Sequence, residues 1–189
     1  MYKEKMLEIL SNIENKELDV AGGSVVGMSL ATINSLIKYI SNLTLGKKKY
    51  EDVDVEVKKI LGEAEELKKQ ALDIIDEDSK VLDKILMTYK TRNQEENAYL
   101  RACKDGVEFC MHVLEIAFET LKLSDRISKV GNRMLASDFK ICKYYAFASI
   151  KSAIVNVDIN LKSIKDEEYK EKTKQRYTEI LEKSRSYIE

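Results

Sequence analysis

The absence of proline constrains the fold of this chain more than any other feature of its sequence. Its 189 residues contain no proline and only seven glycines, so few positions interrupt a helix or force a turn. Leu, Lys, Glu and Ile dominate, and no segment shows the alternation that is typical of a strand. We therefore predict an all-α fold built from long, uninterrupted helices.

Hydrophobic spacing places about six helices along the chain. From Leu61 to Tyr89 apolar residues recur every three or four positions, which predicts one long amphipathic helix over about 54–90. A first helix is predicted over about 2–15, and a second runs from Ser24 as N-cap to about 43. After a polar loop at 91–96, a fourth helix runs to about 129 and stops at Gly131. A fifth is predicted over about 137–164, and a sixth begins at Asp166. No linker or repeat divides the chain, so we predict one domain over 1–189, a helical bundle with long central helices.

The second predicted helix is apolar nearly all round. It also carries the small residues Gly27, Ser29, Ala31 and Ser35, which allow neighbouring helices to approach closely. A helix without a polar face is buried on most sides. We therefore expect it at the centre of the bundle or at a subunit interface.

Charge and cysteine content limit the binding partners and the cellular compartment that we expect for this chain. Lys and Arg number 32 against 33 Asp and Glu, so the overall balance predicts neither nucleic-acid nor membrane binding. Cys103, Cys110 and Cys142 lack CxxC spacing and His112 is the only histidine, which argues against a Cys/His zinc site. We interpret the cysteines as core residues in a reducing cytoplasm. The most apolar stretch, 25–40, is interrupted by polar residues, so neither a signal peptide nor a membrane span is predicted.

Asp78 is the most informative single residue. The apolar stripe of the third helix, from Ala71 and Ile75 to Leu82, passes through position 78, where a carboxylate replaces an apolar side chain. We predict that Asp78 points inward, where partial removal from water suits a general acid or base near neutral pH. The alternative interpretation is a solvated carboxylate at a helix kink, or a member of a buried ion pair.

Three polar residues share one face of the fifth predicted helix. Asn156 and Asn160 are four residues apart, and Asp138 precedes Asn156 by eighteen, which is five whole turns. The small residues Ser149 and Ala153 lie between them on that face and leave room for a flat ligand. Hydrogen bonding between helices in a tight bundle is the alternative interpretation.

Two short segments carry groups that suit an anionic or carbonyl-bearing ligand. Gly22, Gly23 and Ser24 precede a helix and would offer free backbone N–H groups, although a tight helix entry with a serine cap explains them as well. Lys47, Lys48 and Lys49 form the only compact basic cluster without an interleaved acid. A solvated turn is the alternative interpretation of that cluster.

The order of these motifs resembles one known family over about residues 5–185. It is the cyclodeaminase domain of formimidoyltransferase-cyclodeaminases together with the stand-alone methenyltetrahydrofolate cyclohydrolases. The stretches that carry the resemblance are GGSV (22–25), NLTLGKKKY (42–50), DEDSKVL (76–82), GNRMLASD (131–138) and NVDINLKSIKDEEY (156–169).

The resemblance implies an all-α bundle that dimerises, with a tetrahydrofolate derivative as substrate bound near the subunit interface and no metal or redox cofactor. It places the family's catalytic aspartate at Asp78 and matches the basic turn at Lys47 to Lys49, which would meet the glutamate tail of folate. The other family positions fall on Gly22, Gly23, Ser24, Asn132, Ser137, Asp138, Asn156 and Asn160.

The sequence departs from the family's pattern in several places. The usual Pro-Gly-Gly-Gly-Ser helix entry reads Val20-Ala21-Gly22-Gly23-Ser24, and an alanine at a tight turn limits positive φ. A shorter polar segment near Thr91-Arg92 replaces the family's Leu-Pro-Lys, and its helix-four proline aligns with Cys110. Three hypotheses follow: an active cyclohydrolase or cyclodeaminase with an Asp general acid and base, a folate-binding relative without that activity, and a structural helical oligomerisation module.

Overall fold

The computed structural model describes residues 2–14, 20 and 22–188, and this part of the chain is a bundle of six α-helices without a strand. The helices are α1 (Tyr2–Glu14), α2 (Gly22–Asn42), α3 (Asp54–Lys90), α4 (Glu96–Val130), α5 (Ala136–Leu161) and α6 (Glu167–Arg185). Two 3-10 helices, Lys48–Val53 and Arg133–Leu135, precede α3 and α5. The prediction of an all-α fold with about six helices is confirmed.

Helix α2 packs against α3, α4 and α5 and leaves one side exposed. Leu30, Ile37 and Ile40 are fully buried, as expected for a helix that is apolar on most sides. Gly27 permits the close approach to α3, because a Cβ at that position would lie 2.8 Å from the backbone oxygen of Ala71. Gly27 thus serves helix packing, as the sequence predicts, whereas Ser35 is exposed.

The two longest helices, α3 and α4, differ in how far their burial extends. Helix α4 buries residues along nearly its whole length, from Ala102 to Ile127. Fully buried residues of α3 end at Ile74, although the helix continues for four more turns. The last part of α3 therefore stands at the edge of the core, where a polar side chain can meet a cavity without being sealed in.

Helix ends differ from the sequence expectations in three places. Helix α2 begins at Gly22, so Ser24 lies inside its first turn and the predicted serine N-cap is wrong. Gly131 follows α4 with φ −73, so a close contact with the oxygen of Ile127, not a left-handed backbone, favours glycine there. Helix α5 ends at Leu161 instead of 164. The alanine predicted to restrain the helix entry, Ala21, lies outside the described residues.

Helix α6 is a charged surface helix, as predicted, and begins after Asp166, whose side chain accepts from the backbone N–H of Tyr169. Tyrosine hydroxyls fasten it to the bundle: Tyr169 donates to Glu108 at 2.7 Å and Tyr177 to Asp158 at 2.9 Å. Burial and the neighbouring Asp158 carboxylate raise the pKa of Tyr177 to about 12. None of the helices in the described residues has the length and apolarity required to cross a membrane.

Candidate functional site

Asp78 turns toward α2 and binds the start of that helix. Its Oδ2 accepts from the backbone N–H of Ser24 at 2.8 Å and lies 3.1 Å from the Ser24 hydroxyl. First-turn N–H groups have no partner within their own helix, and a negative charge is favourable at that end. The residue that caps α2 therefore comes from α3, 54 positions along the chain, and the predicted inward orientation of Asp78 is confirmed.

Gly23 is required by the approach of this carboxylate. A Cβ at Gly23 would lie 2.1 Å from Oδ1 of Asp78 and 2.6 Å from its Cγ, far inside van der Waals contact. At Gly22 the nearest atom to a Cβ is Oδ1 of Asn156 at 3.9 Å, an ordinary separation. Of the two glycines, Gly23 is thus the one that the site needs for space.

A cavity of about 160 Å³ opens beside Asp78 where four helices meet. The residues that line it come from the start of α2, the last part of α3, the middle of α4 and the end of α5. They are Gly22, Gly23, Asp78, Val81, Leu82, Ile85, Phe109, Cys110, Asn156, Ile159 and Asn160. Aliphatic and aromatic walls with a few polar groups are typical of a small-molecule site.

The side-chain nitrogen of Asn160 is engaged within the bundle. Nδ2 of Asn160 donates to the backbone oxygen of Asn156 at 3.0 Å and lies 3.3 Å from the sulfur of Cys110. With its N–H groups engaged, Asn160 offers its amide oxygen to a ligand. The contact with Cys110 joins α5 to α4, so the alternative interpretation, hydrogen bonding between helices, describes part of the role of Asn160.

Asn132 lies in a second group at the other end of α2 and acts there as a tie between elements. Its backbone N–H donates to Thr44 Oγ1 at 2.9 Å, its Nδ2 to the oxygen of Leu43 at 3.3 Å, and its Oδ1 accepts from the hydroxyl of Tyr50 at 3.3 Å. These bonds join the turn after α2 to the turn before α5. Asn132 is thus occupied by structural contacts within the chain.

The other predicted residues lie at that same end. Ser137 is exposed and Asp138 half-buried in the first turn of α5, and Lys47, Lys48 and Lys49 are exposed. At 1.5 Å per residue, α2 is roughly 30 Å long, and Asp138 lies about 27 Å along α5 from Asn156. Within one chain the structure brings together Gly22, Gly23, Ser24, Asp78, Asn156 and Asn160, and it leaves the second group at a distance.

Cys110 is a cavity residue that the sequence alone places only in the core. Burial, together with the nearby Asp78 carboxylate, raises the pKa of its thiol to about 11 against the effect of the Asn160 hydrogen bond. The thiol is therefore protonated near neutral pH and does not act as a nucleophile. Its position, where the resembling family has a proline, is the signal that could have drawn attention to it.

Other hollows on the described surface lack this combination of groups. The one between α3 and α4 measures about 330 Å³ and is bordered by Glu63 and Arg126, which form an ion pair. Within the described ranges, no group of three or more His, Cys, Asp or Glu side chains is arranged to hold a metal ion. Asp78 thus lies in the one described hollow that also contains the two amides.

Comparison with known proteins points to one family. The family described as formiminotransferase-cyclodeaminase matches residues 5–179. A methenyltetrahydrofolate cyclohydrolase of Methylorubrum extorquens is 27% identical over 79% of this chain and 76% of its own length. The formimidoyltransferase-cyclodeaminase of Rattus norvegicus is 22% identical over 87% of this chain, which spans 32% of that longer protein. The crystal structure of a formiminotetrahydrofolate cyclodeaminase from Thermotoga maritima superposes with a TM-score of 0.84 at 27% identity and covers 96% of this chain and 88% of that one. The chain belongs to the formiminotransferase-cyclodeaminase family.

Proposed function

We propose that this chain is a folate one-carbon enzyme, a methenyltetrahydrofolate cyclohydrolase, a formimidoyltetrahydrofolate cyclodeaminase, or both, with Asp78 as its general acid and base. The observation that carries the proposal is the Asp78 carboxylate at the cavity wall, with Oδ2 bound by Ser24. The names of the similar proteins from Methylorubrum extorquens and Thermotoga maritima support the two reactions equally, since both are 27% identical to this chain.

Both reactions need one group that moves a proton. In the cyclohydrolase direction, water attacks the methenyl carbon and Asp78 takes a proton from it. Asp78 then returns a proton to N5 as the bond between N5 and the carbon breaks, which leaves 10-formyltetrahydrofolate and one proton in solution. In the cyclodeaminase direction, N10 attacks the formimidoyl carbon, and Asp78 carries the N10 proton to the departing ammonia. A second proton for the ammonia comes from solvent.

The remaining polar groups of the cavity orient the ligand. The amide oxygen of Asn160 suits an N–H donor on the pterin ring, and Asn156 stands one helical turn away on the same wall. The apolar side chains of Val81 and Ile85 cover a flat ring on the α3 side. Holding the carbon against the carboxylate is the main contribution of such a site to the rate.

The cavity of one chain is too small for the whole ligand. Its volume of about 160 Å³ falls below the roughly 300–1,000 Å³ of pockets that bind drug-sized molecules. It also adjoins exposed apolar side chains, since Val155 and Ile159 are each 56% exposed. We propose that a second copy of the chain covers this edge and supplies the missing wall.

An uncharged face on α2 and α5 suits that second copy. One set of exposed residues with helical spacing on these two packed helices carries no charge, while Lys140 and Lys151 of α5 are exposed at its margin. We call the uncharged residues the uncharged face. They are Val25, Thr32, Ser35 and Tyr39 on α2 and Ile141, Tyr144, Tyr145, Ala148, Ser152, Val155 and Ile159 on α5. Large apolar patches on a protein surface mark interaction sites, and most homo-oligomers are two-fold symmetric.

A two-fold axis that crosses the middle of α2 would place the start of α2 in one copy beside the end of α2 in the other. The Lys47 to Lys49 turn of one copy would then stand near the Asp78 cavity of the other, despite the roughly 30 Å that separates them within a chain. Three lysines with no acid among them suit the carboxylates of the glutamate tail of folate. We therefore propose that these lysines act on the cavity of the partner subunit.

A parallel turnover assay on both folates tests the reaction. The purified chain should convert 5,10-methenyltetrahydrofolate or 5-formimidoyltetrahydrofolate, followed by the change in methenyl absorbance, and Asp78→Asn should lower turnover by about 10²–10⁴-fold. Asp73→Asn, an exposed carboxylate on the same helix, is the matched control and should keep full turnover. Saturable folate binding without turnover would identify a binding relative, and a folded dimer that binds neither folate would leave only a structural module.

Mixing two inactive variants tests the shared site. Asp78→Asn and a variant with Lys47, Lys48 and Lys49 changed to Ala should each be weak at substrate concentrations below KM. After exchange of subunits at equal amounts, half the dimers are mixed and one of their two sites is intact, so about a quarter of the activity should return. Activity that stays at the level of the separate variants would refute the contribution of the lysines across the interface.

A further inference from the structure

The contact between Ser24 and Asp78 is directed at one oxygen of the carboxylate. Both the backbone N–H and the hydroxyl of Ser24 approach Oδ2, at 2.8 and 3.1 Å. The hydroxyl is also 3.1 Å from the backbone oxygen of Ile75, so its single hydrogen is shared between two acceptors. Ser24 is fully buried, so solvent does not replace it at Oδ2.

The other oxygen of Asp78 is left for the cavity. Within the described part of the chain, no donor approaches Oδ1, which lies against Gly23. Gly23 and Asp78 both line the cavity, so this oxygen meets whatever occupies it. Because the Ser24 donors use the lone pairs of Oδ2, a proton on this carboxyl group is accommodated best on Oδ1.

We propose that Ser24 is a positioning residue for Asp78, holding Oδ2 so that Oδ1 is the oxygen that exchanges the proton with the ligand. The proposal rests on the function proposed above, in which Asp78 transfers that proton. Ser24 does not itself touch the reacting atoms. It acts by fixing the rotation of the carboxylate about the Cβ–Cγ bond of Asp78.

The residues that surround Asp78 in the cavity carry no charge. The neighbours from α2 are Gly22, Gly23 and Ser24, and those from α5 are Asn156 and Asn160, all without charge. The titratable neighbour from α4 is the Cys110 thiol, whose pKa, raised chiefly by burial to about 11, keeps it neutral. Asp78 and Cys110 are therefore the two ionisable side chains among the residues that line this cavity.

Ser24→Ala is the informative variant, since it removes the hydroxyl and keeps the backbone N–H contact. A carboxylate that loses a donor holds its proton more tightly, so the midpoint of the pH–activity profile should move to higher pH by about 0.3–1 unit, a 2–10-fold change in the acid constant. The midpoint should move to higher pH whether Asp78 starts the reaction as base or as acid. In both cases the rise or fall of activity with pH reports the loss of the same proton from Asp78. Ser24→Thr, which restores a hydroxyl, should return the midpoint toward that of the unaltered chain.

Ser41→Ala is the matched control. Ser41 lies on the same helix, is equally buried, and donates to the backbone oxygen of Ile37 at 2.9 Å without contacting Asp78. Its removal should leave the midpoint unchanged. The proposal is overturned if Ser24→Ala lowers turnover equally at every pH with an unchanged midpoint, or if Ser41→Ala moves the midpoint as far.

A second measurement separates this proposal from the proposed reaction. If the unaltered chain converts neither folate, the reaction is refuted, and the contact is then tested by carboxyl carbon NMR, with the Asp78 resonance identified by its loss in Asp78→Asn. An upward shift of its titration midpoint in Ser24→Ala, and not in Ser41→Ala, supports the control of Asp78 by Ser24. An unchanged midpoint overturns it.

Discussion

Replacing Gly23 by alanine should separate the stability of this protein from its activity. The added Cβ would lie 2.1 Å from Oδ1 of Asp78, so the carboxylate and the methyl group cannot both keep their positions. The atoms in the way are the end of a half-buried side chain and not backbone. Rotation of Asp78 away from α2 is therefore the easiest response.

The expected stability change is small because two effects oppose each other. Rotation of Asp78 removes the cap of α2, and loss of a helix N-cap costs about 0.5–2 kcal/mol. Replacing a helical glycine by alanine contributes up to about 1 kcal/mol in the other direction, and less in the first turn. The free energy of unfolding should thus fall by no more than about 2 kcal/mol. Turnover should fall by at least about 10²-fold, because the general acid and base has left the cavity.

Urea unfolding followed by circular dichroism, together with the folate turnover assay, measures both quantities on the same preparation. Gly62→Ala is the matched control, since Gly62 lies within α3 and a Cβ there meets no atom within 4 Å. It should gain about 0.5–1 kcal/mol of stability and keep full turnover. A Gly23→Ala protein with normal turnover would show that Asp78 need not occupy its position against α2, and the argument for its role would be wrong.

Two further predictions concern the bundle. Gly27→Ala should lower the free energy of unfolding by about 1–3 kcal/mol, because its Cβ would lie 2.8 Å from the backbone oxygen of Ala71, which cannot rotate aside. An unchanged midpoint of urea unfolding would contradict the close contact of α2 with α3. The raised pKa of Tyr177, about 12 against an ordinary 10.0, implies a contribution to stability that is complete below pH 10 and is lost as the pH rises toward 12. The stability difference between the unaltered chain and Tyr177→Phe should therefore shrink over that range, and a constant difference in urea midpoint would contradict it.

Periodicity was enough to predict the helices because they depend on neighbouring residues. The third helix was predicted over about 54–90 and runs over Asp54–Lys90, since its apolar stripe and the absence of proline leave few other conformations. Asp166 was predicted to start the last helix, and its side chain caps it at Tyr169. In each case the decisive interactions lie within one or two turns.

Contacts between distant segments were not predictable in the same way. Ser24 has the residue type of an N-cap, but the cap of α2 is Asp78 on another helix, and no local pattern encodes a contact across 54 positions. The resemblance assigns Asn132 and Asp138 to the same set of family positions as Asn156 and Asn160, and helix length puts them at the other end of the bundle within one chain. Spacing in sequence fixes which face a residue occupies, and rise per residue fixes how far along that face it lies.

The position of Asp78 on α3 explains how the same carboxylate can serve both fold and cavity. Had it occurred on the buried face of α3 before Ile74, an unpaired charge would have been costly and a cation would have been needed beside it. At position 78 the helix has left the core, and the start of α2 supplies two donors in place of a cation. Donors without charge hold the carboxylate and still allow it to take up a proton, because no ion pair is broken when it does. A lysine at the same place would fasten Asp78 more firmly and would oppose the protonation that the proposed reaction requires.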